Sequence, residues 1–200
     1  MKKFFTSESV TSGHPDKLCD RISDAILDEY LKQDGNARVA CECCATKNFL
    51  LIMGEITSSA KVDVEQVARR VIKQTGYNRN DSGFSADTVE IVVKLSAQSA
   101  DIALGVDNSL EAKANSSDYF DKIGAGDQGI MFGYAVRETE ELMPLPITLA
   151  HKMCAELERV RVSGEIPYLY PDGKGQITVE YDGKTPKRVE AVVLSSQHNA

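Results

Sequence analysis

Gly13-His14-Pro15-Asp16-Lys17 is the stretch from which the fold can be read outward. Pro15 has no backbone donor and a fixed φ, which suits the first turn of a helix. It also drives His14 out of the α region, so His14 is expected in an extended elbow just before that helix. The first amides of a helix have no internal partner, and that end carries partial positive charge, so it can hold an anion such as phosphate. The elbow thus gathers an imidazole, a carboxylate suited to a metal (Asp16) and an ammonium (Lys17) around an anion-attracting point. A Pro-started helix with a solvated His, Asp and Lys explains the same local spacing at least as well, so the rest of the chain has to decide.

Upstream, Phe4 to Val10 reads as a strand. Downstream, the helix from Pro15 runs to about Gln33, with Leu18, Ile22, Ala25 and Ile26 on one side and Gly35 as its stop. Asp16, Asp20, Asp24 and Asp28 form an acidic stripe, solvated for the last three. Two strands follow, Ala37 to Ala45 and Asn48 to Thr57, with a tight turn at Thr46-Lys47. Glu42 and Glu55 interrupt these otherwise apolar strands. A carboxylate buried there is costly unless paired or bound to a cation; a sheet edge or strand end is the plain alternative. Asp63 starts a second helix with Gln66 three residues on, Gly76 closes it, and Val89, Ile91, Val93 and Leu95 line a strand. The first segment therefore reads β-α-β-β-α-β.

From Gln98 to about Ile123 regular pattern disappears, and a loop of that length is uncommon without a role, lid or linker. Gly124-Ala125-Gly126-Asp127-Gln128-Gly129 matches G-x-G-x-x-G. A dinucleotide fingerprint should follow a strand and open a helix. Here a loop precedes it and an alternating strand, Ile130 to Val136, follows, so that reading is rejected. A third helix is expected from Pro144-Leu145-Pro146 to Ser163-Gly164. Tyr170-Pro171-Asp172-Gly173-Lys174-Gly175 reads as a turn, followed by strands through Ile177 to Tyr181 and Val189 to Val193. This second segment, β-α-β-β, copies the first four elements of the first, which implies a tandem repeat, the second unit cut short. The fold class is α+β, tandem β-α-β-β-α-β repeats with helices packed on mixed or antiparallel sheets. The expected domains are 1–107, a linking loop 108–123, and 124–200.

The chain has 200 residues, 42% of them hydrophobic, and a net charge of −7. No run approaches the ~18 apolar residues of a membrane span, and Met1-Lys2-Lys3-Phe4-Phe5 reaches polar residues at once, unlike a signal peptide. The negative charge argues against a nucleic-acid surface. Five cysteines, an odd count with no signal peptide, point to reduced thiols and a cytoplasmic protein. Cys41 and Cys43 share a strand face and are expected to pack as small buried thiols rather than bind zinc.

These motifs, in order, resemble those of the S-adenosylmethionine synthetase (methionine adenosyltransferase) family. The matching stretches are Phe5-Thr6-Ser7-Glu8-Ser9-Val10, Gly13 to Lys17, Ala40-Cys41-Glu42, Gly54-Glu55-Ile56-Thr57, Gln98-Ser99-x-Asp101-Ile102, Gly124 to Phe132, Pro144-x-Pro146-Ile147, and Val192 to Ser195 with Gln197-His198. The resemblance implies that methionine sulfur displaces the triphosphate of ATP at C5′ and that the triphosphate is then hydrolysed. It implies two Mg²⁺ per site and K⁺. It assigns His14, Lys17 and Asp127 to the catalytic centre, and His14, Asp172 and Lys174 to ATP. Asp16 would serve Mg²⁺ and Glu42 K⁺, while Glu55 and Gln98 would contact L-methionine. A mobile loop over the site would carry Gln98, Ser99, Asp101, Gly105 and Asp107. Family subunits pair as dimers or tetramers that share active sites, and family chains are roughly twice as long, so an incomplete site is expected here. Ala100 replaces the family's usual proline, and the loop from Asn108 to Ile123 is longer than in many bacterial relatives. The competing reading is a non-catalytic association module. A different Mg²⁺-dependent phosphotransferase is disfavoured by the absence of G-x-x-x-x-G-K-[ST].

Overall fold

A computed structural model describes residues 2–97, 118 and 129–199. In chain order these form β1 (Lys2–Val10), α1 (Pro15–Gln33), β2 (Arg38–Thr46), β3 (Phe49–Thr57), α2 (Val64–Thr75), a 3-10 turn at Asn80–Ser82, β4 (Glu90–Ser96), α3 (Leu145–Val162), β5 (Leu169–Asp182) and β6 (Thr185–His198). The architecture is α+β, as expected: helices against one antiparallel sheet, β1-β5-β6, and one mixed sheet, β2-β3-β4.

Pro15 sits at the first helical position of α1, and the apolar spacing behind it places Leu18, Ile22 and Ile26 on one buried face. They pack with Leu50 and Ile52 of β3 and with Ala68 and Ile72 of α2 into the larger core. Each of these leucines and isoleucines contributes roughly 1.5–3 kcal/mol by leaving water. Two residues close the β2–β3 hairpin, Lys47 and Asn48, one position later than the sequence pattern suggests. Asn48 takes a left-handed φ of 52°, which asparagine tolerates. β3 then runs parallel to β4, a pairing that needs the crossover supplied by α2. Gly35 is not what stops α1. Asp34 is: it leaves helical geometry, and its carboxylate accepts bonds from Asn36, Ser58 and Ser59. Those bonds hold the carboxyl well below the usual range, at about 2.

Two expectations change in the second half, and one pairing joins the two halves. Ile130 to Val136 alternates like a strand but forms none. A strand needs a neighbouring edge to complete its hydrogen bonds, and among the described residues no strand pairs with it. Ile130, Met131 and Phe132 are instead more than four-fifths exposed (83%, 89% and 94%). Among the described residues the second segment is therefore α3-β5-β6, without the strand expected before the helix. The Tyr170–Gly175 stretch is not a turn but the opening of β5. Its irregularity is absorbed in the register between Leu169 and Gly173, where Pro171 cannot donate. Finally, β1 does not join the strands that follow it. It pairs along its whole length with β5, from Lys2 opposite Asp182 to Val10 opposite Lys174. α3 covers that sheet through Ala150, with Leu149 and Met153, over Ile177 and Val179, a much smaller core.

Ile26→Ala should therefore cost about 2–5 kcal/mol in urea unfolding. Val193→Ala, at a half-exposed β6 position, should cost about 0.5 kcal/mol or less. Equal losses would contradict this division between core and open face.

Candidate active site

The elbow has the geometry that proline imposes. His14 is extended, with φ −59° and ψ 139°, and caps α1 by accepting the Asp16 amide on Nδ1 at 3.3 Å. That is a long bond, but it decides the ring's role. An accepting nitrogen carries no proton, so in this geometry Nε2 is the ring nitrogen left to donate. Nδ1 also lies 3.8 Å from Asp16 Oδ2, farther than the Asp16 amide that it accepts. Asp16 is 90% exposed, whereas the His14 side chain is 22% exposed. Lys17 is half-exposed, 4.0 Å from Asp20.

Three connections hold the elbow from behind. The Thr11 amide donates to Gly173 O at 2.9 Å, and Thr11 Oγ1 to Pro171 O at 2.7 Å. Tyr77 Oη donates to Gly13 O at 2.6 Å. Gly13 is so close to β5 that a Cβ would stand 2.3 Å from Pro171 Cβ. These contacts bring Asp172 to the elbow. Burial pushes the Asp172 carboxyl above its ordinary value, while His14 pulls it the other way. A cavity of about 410 Å³ opens beside them, bounded by Gly13, Pro15, Lys47, Tyr77, Phe84 and Asp172. Lys174, two residues along β5, is held by Glu8 at 2.7 Å.

The structure thus brings His14, Asp16, Lys17, Asp172 and Lys174 to one region. Glu42 and Glu55 lie elsewhere. The β2–β3 register sets Glu42 opposite Met53 and Ala40 opposite Glu55, on the sheet face turned away from α1. There Glu42 is exposed and Glu55 half-buried, so the burial cost inferred from their apolar strands does not arise. Gln98, Ser99, Asp101, Gly105, Asp107 and Asp127 lie outside the described residues. No group of three or more His, Cys, Asp or Glu suited to a metal occurs among the described residues. Asp16 alone fits Mg²⁺, which uses one or two carboxylates and takes its remaining oxygens from phosphates and water. All five cysteines are free; Cys41 and Cys43 pack against the larger core but are half-buried rather than buried, and Cys154 is buried. Sequence reasoning missed Thr11, Tyr77 and Glu8. Thr11 and Tyr77 act only through contacts made by distant segments, which no local pattern marks. Glu8 lies inside the quoted first motif, and only the β1–β5 register brings it to Lys174.

The elbow brings an imidazole, carboxylates and ammonium groups together beside a helix N-terminus in an α+β protein, an arrangement with which an anion can interact. Comparison with known proteins narrows this. Residues 2–100 match the model of the S-adenosylmethionine synthetase N-terminal domain, and residues 122–200 that of its central domain. The chain belongs to the S-adenosylmethionine synthetase family. It is 52% identical over 198 residues to the S-adenosylmethionine synthase of Clostridium botulinum (strain Alaska E43 / Type E3), covering 99% of this chain and 51% of that protein. To that of Finegoldia magna (strain ATCC 29328 / DSM 20472 / WAL 2508) it is 53% identical over 196 residues, covering 98% and 50%. The chain spans about half the length of the curated relatives it matches. No helix among the described residues is long and apolar enough to cross a membrane.

The raised carboxyl of Asp172 carries a pH signature. The folded state holds this proton more tightly than the unfolded chain, so stability falls as pH rises from the ordinary value of 3.8 through the raised one. The penalty persists at neutral pH. Asp172→Asn should therefore unfold at a higher temperature than the parent at neutral pH, and the gap should close as pH drops below the ordinary value. A gap unchanged in acid would show that desolvation of the charge is not its cause.

Proposed function

We propose that this chain supplies the triphosphate-binding side of a site that forms S-adenosylmethionine from ATP and L-methionine. The observation that carries the proposal is the His14 cap, which commits Nδ1 to the Asp16 amide and leaves Nε2–H as a donor at a helix N-terminus. In this reaction a sulfur lone pair forms the S–C5′ bond as the C5′–O bond breaks, and triphosphate leaves with the electron pair. Water then splits the bound triphosphate into phosphate and pyrophosphate. Alignment and stabilisation of charge on the leaving group matter more here than proton transfer. His14 Nε2–H would donate to the leaving or phosphate oxygens, with Lys17 and the free first-turn amides of α1 adding positive field. Lys174 would exchange Glu8 for a phosphate oxygen, and Asp172 would contact the nucleotide. Asp127 would stand near the substrates.

Mg²⁺, two per site in the family, would be held on this chain by Asp16 and would neutralise charge on the phosphates. K⁺ would be served by Glu42. Glu55 would take the methionine ammonium group, with Gln98 beside it, and the loop bearing Ser99, Asp101, Gly105 and Asp107 would cover the site. Because Glu42 and Glu55 occupy the sheet face away from the elbow, one copy does not gather both sets. This supports a homodimer or homotetramer with shared sites. The net charge of −7 supports a protein without nucleic-acid or membrane partners, and the free thiols support a cytoplasmic one. A second reading is favoured by the half-length match to relatives: a catalytically incomplete module that acts by folding and association.

Isothermal titration with Mg·ATP should give saturable heat, and His14→Asn should weaken it by about 10-fold or more while leaving the unfolding temperature unchanged. Mass-spectrometric assay with ATP, methionine, Mg²⁺ and K⁺ measures turnover, expected to be little or none for this chain alone. Absence of heat with an intact fold would favour the association module. Equal loss of binding and stability in the variant would make His14 only a helix cap.

A further inference from the structure

α3 reaches the elbow through a carboxylate and a guanidinium that have no place in the proposed chemistry. Glu158 Oε1 accepts Ser12 Oγ at 2.6 Å and Arg161 Nη2 at 2.6 Å. The same Arg161 nitrogen donates to Thr75 O, at the end of α2, at 3.1 Å. The two side chains are only 28% and 13% exposed. Glu158 Oε2 and Arg161 Nε are buried with no hydrogen-bond partner, so the pair does not take its best internal geometry and instead spans two neighbours. The site is also built for the guanidinium. Gly76 turns there with φ 109°, and a Cβ on it would lie 2.5 Å from Arg161 Nη1. Arg21 of α1 ties the same α2 terminus through Thr75 Oγ1 at 3.0 Å. A half-buried ion pair costs desolvation and adds little net stability, but losing one partner strands the other. Its effect is to determine position.

We propose that Glu158 and Arg161 are positioning residues for the triphosphate site, holding Ser12 so that the Ser12-Gly13-His14 backbone aims His14 Nε2–H. The proposal deepens the function proposed above and rests on it for the identity of the ligand. Residues 11 to 13 are then held from three sides: Thr11 by β5, Gly13 by Tyr77, and Ser12 by α3. Of these, only the bond at Ser12 passes through charge. Removing the Ser12 hydroxyl leaves the Glu158–Arg161 pair intact, so it separates aiming from folding.

The test uses the full chain and two readouts. Nitrogen chemical shifts of the His14 ring report which nitrogen carries the proton without any ligand. Titration with Mg·tripolyphosphate reports the consequence. The parent should show the Nε2–H form. Ser12→Ala and Glu158→Gln should shift the ring toward a mixture of both forms and weaken tripolyphosphate binding about 5- to 10-fold. Ser12→Thr should restore both. Ile52→Val, a core change of comparable or greater cost to stability, should alter neither. Unchanged His14 shifts in Ser12→Ala and Glu158→Gln would overturn the proposal, whatever the titration shows. No binding by the parent, with the ring shifts moving as expected, would instead count against the triphosphate function while leaving the positioning role standing.

Discussion

Everything near the candidate site depends on how closely Gly13 approaches Pro171. β1 and β5 pair over the whole length of β1, yet they come from opposite ends of the chain. The last bonds of that pairing, from Thr11 to Pro171 and Gly173, pass directly into the elbow. A side chain at position 13 would occupy space that Pro171 already fills. The approach orders the start of α1 against β5 before any ligand is present, and it places Asp172 within the electrostatic reach of His14. Binding energy then need not be spent on ordering the loop, which is the usual benefit of preorganisation.

The two sheets divide the labour unevenly. The mixed sheet carries α1 and α2 on one face, and the larger core lies between them. Its other face carries Glu42, Met53, Glu55 and Lys94 in neighbouring register rows. The antiparallel sheet has a thin core under α3, with Val192, Val193 and Leu194 of β6 half-exposed. Stability is thus concentrated around α1 and β3, while the residues that would meet substrates sit at margins. That placement follows from chemistry: a site for polyanions and cations needs polar groups in contact with water, and a packed core excludes them.

Much of this was legible in the sequence because it is governed by local chemistry. Pro15 sets the helix start and the extended His14, since a fixed φ and a steric clash act on adjacent residues only. The spacing of Leu18, Ile22 and Ile26 marks the buried face, Asp63 the cap of α2, and Gly76 its left-handed stop. Where two local rules competed, the sequence misled. Gly35 suggested a helix stop that Asp34 performs with distant serine partners, and Pro171-Asp172-Gly173 carries turn chemistry inside a strand. Ile130 to Val136 has the alternation of a strand, but alternation supplies no partner edge.

By itself, then, the sequence determined the helices, the β2–β3 hairpin, the α+β class and, through ordered motifs, the family. The tertiary structure alone decided that β1 belongs with β5, that Asp172 joins His14, and that Glu42 and Glu55 face away from both. The physical reason is range. Dihedral restrictions and side-chain periodicity act over one or two turns and can be read from neighbours. Strand pairing, the burial that raises a carboxyl, and the hydrogen bonds of Thr11, Ser12 and Gly13 join residues more than sixty positions apart, and these exist only once the chain has closed on itself.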